Sequence, residues 1–158
     1  MPVNRPARHL PASPDQLLTG KLVLLGHLLR QSASAIYRRE LGLGQEEWRI
    51  VARLGSTESV PLSELARRTG LRKSQISRAI ARLLRKALLS RSVGEEDARE
   101  ARLHLTAHGR RVHQAIVRTA AKRSAHLASG IGAARLERLH ADLDRLLERA
   151  AELLKRSG

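Results

Sequence analysis

Residues 67–91 read RRTGLRKSQISRAIARLLRKALLSR, with nine Lys and Arg side chains and no acidic one. A solvated helix ordinarily mixes both signs, because opposite charges three or four residues apart support each other and like charges repel. At 100° per residue, segment 73–87 divides into faces. Ile76, Ile80, Leu83, Leu84 and Ala87 gather on one side, while Ser74, Arg78, Ala81 and Arg85 lie opposite, flanked by Gln75, Ser77 and Arg82. The first side predicts packing on a core, and the second predicts a polyanionic partner.

Upstream, SVPLSELARRTG predicts a short helix near 62–69, opened by Pro61, whose missing N–H suits a first turn, and ended by Gly70. The next helix starts almost at once, so the pair describes a helix-turn-helix. Downstream, LLSRSV and ARLHLT are short extended candidates separated by GEEDARE, which together predict a β-hairpin with a charged tip. Further out, Leu18, Leu22, Leu25, Leu29, Ala33 and Ile36 recur at helical spacing, and Gly42 and Gly44 suit a helix stop. A second helix is expected over about 45–54, with Trp48, Val51, Ala52 and Leu54 inward. From Thr106 the helical pattern returns, broken only near ASGIG. It ends in a stripe of Leu136, Leu139, Leu143, Leu146, Ala150 and Leu153, the pattern of a helix-packing seam.

The bulk numbers agree with a mostly helical protein that meets polyanions. The 158 residues carry 30 Lys and Arg against 15 Asp and Glu, a net charge of +15, and 42% are hydrophobic. Such an excess favours nucleic acid or an anionic surface. The absence of cysteine excludes disulfides and thiolate metal sites. Four of the five prolines fall in residues 1–14, which predict a flexible arm rather than a signal peptide. The longest apolar run, residues 22–29, is too short to span a bilayer. A cytoplasmic protein without a membrane partner is expected.

Three uses of the basic helix compete. A plain solvated face explains its polarity but not its lack of acids. A membrane-surface helix wants interfacial Trp or Phe, which the segment lacks. DNA recognition suits it best: Ser74, Gln75, Ser77 and Arg78 occupy the first turns of a second helix, where such side chains reach base edges in a major groove. Arg72, Lys73, Arg82 and Arg85 would then hold phosphates. Cations at positions 72 and 73 oppose the helix dipole by a few tenths of a kcal/mol, a cost that an approaching phosphate offsets. At the hairpin tip, Asp97 and Arg99 stand two residues apart and share one side of an extended segment. Asp97 is expected to orient Arg99 into a narrow minor groove. The rival is a non-specific polyanion-binding module for RNA or an anionic membrane surface.

The combination K-S-x-x-S-R (73–78), D-x-R (97–99) and L-T-x-x-G (105–109), set after the helix-turn-helix, resembles the MarR family of transcriptional regulators. That resemblance implies a mainly α fold with a small β-hairpin wing: a winged helix-turn-helix over 43–106, and helical dimerisation regions over 15–42 and 107–158. It implies the same roles for Ser74, Gln75, Ser77, Arg78, Asp97 and Arg99. It further implies a homodimer on a pseudo-palindromic operator, and a repressor released by a small, often aromatic, acid. Near the cleft where relatives bind such ligands, the candidates are His27, Arg30, Tyr37 and Trp48, with Ser34, Arg38 and His113 close by. His27 and Arg30 lie three residues apart on one helix face. His104 and His108 are four apart but fall on a strand and a helix, so no metal site is expected, and no cofactor. G-x-S-x-G, P-loop and H-E-x-x-H patterns are absent, which argues against an enzyme.

Overall fold

The computed structural model describes residues 13–56, 60–61, 64–65, 69–93 and 101–156. Five long helices are described: α1 (Leu18–Leu41), α2 (Gln45–Leu54), α3 (Lys73–Arg85), α4 (Ala107–Leu127) and α5 (Ala133–Arg156). Strands β1 (Val60–Pro61), β2 (Leu89–Val93) and β3 (Ala101–Leu105) form an antiparallel sheet in the order β1-β3-β2. The described residues divide into two compact units, the first ending at Val117 and the second beginning at Arg118.

In the first unit, Ser13 and Pro14 begin a short turn before α1, with the Ser13 hydroxyl accepting from the Asp15 N–H. Helix α1 stops at Gly42, whose φ of 63° only glycine adopts without strain. The Leu43 N–H then reaches back to the Tyr37 carbonyl, and the Leu43 side chain is buried. This closure turns the chain sharply into α2, which sends Ile50, Val51 and Leu54 into the core. Glu64, Leu65 and Thr69 are helical, Gly70 adopts φ 61°, and α3 follows after Leu71 and Arg72, as a helix-turn-helix requires. Ile76, Ala79, Ile80 and Leu83 bury one face of α3. Leu89 and Leu103 close the core from the sheet.

Helix α3 ends two residues earlier than its apolar pattern predicts. Ala87 is not a core residue of the helix: it lies outside it, exposed, at φ 52°. Its left-handed turn lets the Leu88 N–H bond back to the Leu83 carbonyl and directs the chain into β2. Strand β1 was invisible in the pattern because it is only two residues long, pairing Val60 with Leu103. The hairpin strands lie where expected, with Leu89 opposite Leu105 and Val93 opposite Ala101.

The second unit holds the last turns of α4 and all of α5, joined through Ser129–Gly132 with Gly130 at φ 82°. No residue of α5 is buried. No helix among the described residues is long and apolar enough to cross a membrane.

Candidate nucleic-acid interface

Helix α3 presents its polar face at the end that follows the tight turn. Arg72 is extended (φ −69°, ψ 149°), and its N–H donates to Gln75 Oε1 at 3.1 Å. This is half of a reciprocal cap; the arginine side chain carries no acceptor, the Gln75 N–H donates to the Arg72 carbonyl at 2.9 Å instead, and no acid stands in the first turn. The helix end thus keeps its positive character, with exposed Arg72 and Lys73 adding to it. Ser74, Ser77 and Arg78 are exposed on the same face, and Arg78 Nε rests on the Ser74 carbonyl at 3.3 Å. Gln75 is half-buried with its carbonyl engaged, leaving its amide donors for any further partner. Arg85 is exposed two turns beyond Arg78.

Arg82 is placed differently. Its Nε meets Glu47 Oε1 at 3.0 Å and an Nη meets Glu46 at 3.6 Å. Lys86 Nζ reaches Glu47 Oε2 and the Gly42 carbonyl, both at 2.8 Å. The Glu47 side chain is 3% exposed, whereas those of Arg82 and Lys86 are 38% and 40% exposed, so the carboxylate is the buried member. Burial pushes its pKa up, but Lys86, the Gly44 N–H and Arg82 outweigh that, and the carboxyl sits below its ordinary value. The acids missing from 67–91 are therefore supplied by α2. Their signal in the sequence, EE at 46–47, reads equally well as acids complementing a helix amino end.

The L-T-x-x-G motif joins wing and helix. Thr106 Oγ1 accepts from the Gly109 N–H at 2.9 Å, capping α4, and donates to the Ala87 carbonyl at 2.7 Å. A Cβ on Gly109 would fall 2.1 Å from the Leu88 carbonyl oxygen, so only glycine lets α4 start this close to β2. Asp97 and Arg99 lie outside the described residues.

A cleft of about 540 Å³ opens beside the helix-turn-helix, lined by Arg30 of α1, by Trp48, Arg49, Ala52 and Arg53 of α2, and by Thr69 and Gly70. Of the four expected ligand residues, Arg30 and Trp48 meet in this cleft. His27 is exposed and does not line it, and Tyr37 is buried beneath, its ring 5.1 Å from Trp48 and its hydroxyl donating to the Ile116 carbonyl. Arg49 and Arg53 were missed, although one helical turn separates them. The Arg49 guanidinium donates to the Thr69 carbonyl. Burial, then the charges of Arg30 and Arg53, hold its pKa below the ordinary value. Ser34 accepts from the Trp48 indole N–H at 3.4 Å, and His113 packs where a Gly55 Cβ would stand. His104 shares a 2.5 Å hydrogen bond with Ser92, and His108 is exposed on α4. Among the described residues, no three His, Asp or Glu side chains form a group that could hold a metal.

Comparison with known proteins bears on this geometry. The model of the MarR family matches residues 43–101. No curated protein matches the sequence significantly. A MarR/EmrR family transcriptional regulator from Acinetobacter sp. ADP1 is 25% identical, with a TM-score of 0.73 over 85% of this chain and 94% of that one. A putative MarR family regulator from Listeria monocytogenes, complexed with 26mer DNA, is 18% identical, with a TM-score of 0.77 over 87% and 91%. Streptococcus pneumoniae FabT in complex with DNA is also 18% identical, at 0.73 over 85% and 96%. Residues 43–101 are thus a MarR-family domain, carried in a chain whose fold is that of the MarR-family transcriptional regulators.

Proposed function

We propose that the protein is a homodimeric, sequence-specific DNA-binding regulator, a cytoplasmic non-enzymatic repressor that a small aromatic acid releases from its operator. The observation that carries this is the exposed, acid-free face of α3 at its amino end. Ser74, Gln75, Ser77 and Arg78 read base edges in the major groove, while Arg72, Lys73 and Arg85 hold flanking phosphates. Asp97 and Arg99 extend the contact to the minor groove. The DNA-bound relatives from Listeria and Streptococcus support the same use of this fold.

Dimerisation is supported by where the apolar surface lies. Every exposed large hydrophobic residue among the described ones falls on residues 17–28 or 117–154, and none within 43–116. Two copies joined through such surfaces present two α3 helices to half-sites about 10 bp apart on a pseudo-palindrome. In the cleft, Arg30 suits a carboxylate and Trp48 an aromatic ring. An occupant there would wedge α1 and α2 against the helix-turn-helix and change the separation of the two α3 helices.

The test is selection of duplexes from a random library, followed by competition. A sequence-specific regulator keeps its selected duplex in the presence of excess unrelated DNA. Equal displacement by unrelated DNA or RNA would identify a generic polyanion binder instead. A thermal-shift series with benzoate and salicylate tests the cleft, since a ligand of the native state raises the melting temperature.

A further inference from the structure

We propose that Glu47 is a positioning residue for DNA recognition. It withholds Arg82 and Lys86 from the phosphate backbone and fixes the rotation of α3, raising the ratio of specific to non-specific binding. The inference rests on the DNA-binding reading above.

Non-specific affinity for DNA is electrostatic, and each phosphate neutralised adds about 0.9 to the slope of log K against log salt. A helix with Lys73, Arg78, Arg82, Arg85 and Lys86 all free would bind any duplex strongly, so its sequence preference would be diluted. Glu47 removes two of these cations. Both are held twice: Arg82 by Glu47 and Glu46, and Lys86 by Glu47 and the Gly42 carbonyl. Their anchors stand at the α1–α2 corner, where Gly42 ends one helix and the Gly44 N–H donates to Glu47 Oε2 at 2.7 Å.

The same contacts set geometry. Arg82 is one turn beyond Arg78, on the same stripe of α3. Each residue of an α-helix turns 100°, so pinning Arg82 to α2 determines which way Ser74 and Arg78 point. A carboxylate held against the far end of that stripe thereby orients side chains it does not touch.

The experiment compares a duplex selected by the wild-type protein with an unrelated duplex, using fluorescence anisotropy over a range of salt. Glu47→Gln removes the charged anchor that both cations share, leaving Arg82 only the longer contact to Glu46 and Lys86 only the Gly42 carbonyl. It is expected to steepen the salt slope on unrelated DNA by about 1–2, to tighten that binding, and to lower the selected-to-unrelated ratio about tenfold or more. A purely structural role would weaken both duplexes alike at unchanged slope, and that result overturns the proposal. Arg82→Gln is the second arm. It is expected to weaken the selected duplex while leaving the slope on unrelated DNA unchanged. A slope reduced by about 0.9 places Arg82 on a phosphate and also overturns the proposal. If circular dichroism shows Glu47→Gln unfolded, Arg82→Gln and Lys86→Gln carry the same slope criterion. A wild-type protein without sequence preference overturns the DNA reading itself, whereas preserved preference with unmoved slopes overturns only the role of Glu47.

Discussion

Ala87 sits at φ 52°, a conformation that costs a residue with a Cβ about 1–2 kcal/mol. Glycine removes that strain but adds backbone freedom to the unfolded chain. Ala87→Gly is accordingly expected to stabilise the fold by about 0.5–1 kcal/mol, read from the midpoint of urea unfolding. At the other end of the same helix, Arg78 is exposed and bonded only weakly to its own helix, through the Ser74 carbonyl at 3.3 Å. Arg78→Ala should leave stability within about 0.5 kcal/mol yet cost about 1–3 kcal/mol of affinity for a selected duplex and relax preference at particular base pairs. Equal weakening on selected and random DNA would remove its base-reading role. The first effect was not legible in the sequence, since nothing in KALLS marks Ala87 as a left-handed residue. The second was, because the positions of Ser74 and Arg78 follow from helical periodicity alone.

Between elements, the contact of α2 with α3 carries the clearest electrostatic signature. Glu47 is buried and its two cations are half-exposed, so the loss of the pair costs about 2–3 kcal/mol rather than the full value for a wholly buried pair. Its pKa lies below the ordinary 4.5 in the folded protein. The stabilisation it supplies is therefore complete above pH 4.5 and is lost as pH falls through the lowered folded value. Melting temperature measured against pH should fall on that acid limb, and Glu47→Gln should flatten it. A limb unchanged by the substitution would show that the carboxylate contributes nothing there. Periodicity gave the helices and their apolar faces, but it carries no information on which acid meets which base across 35 or 39 residues of chain.

For the whole molecule, the apolar residues left at the surface are the basis of the proposed assembly. Leu147 is 68% and Leu153 64% exposed in the single chain, so replacing either with Glu has little to disturb within it. In the proposed homodimer the same changes place a charge in an apolar seam. Sedimentation at micromolar concentration is expected to show a dimer for the wild type and a shift to monomer for Leu147→Glu combined with Leu153→Glu, with affinity for a selected pseudo-palindrome falling in step. A folded wild-type monomer at that concentration would remove the two-half-site mechanism.

The sequence by itself determined the order of the helices, the helix-turn-helix, the hairpin strands and the polar face of α3. These follow from periodicity, from glycine and proline at element ends, and from the one-signed run at 67–91, all local properties of the chain. The tertiary structure alone decided three things. Arg82 and Lys86 turn back to Glu47, Arg30 and Trp48 meet Arg49 and Arg53 around one cleft, and Thr106 ties the wing to α4 through the Ala87 carbonyl. Each depends on residues far apart in the chain, which only packing of the elements on a common core brings within reach.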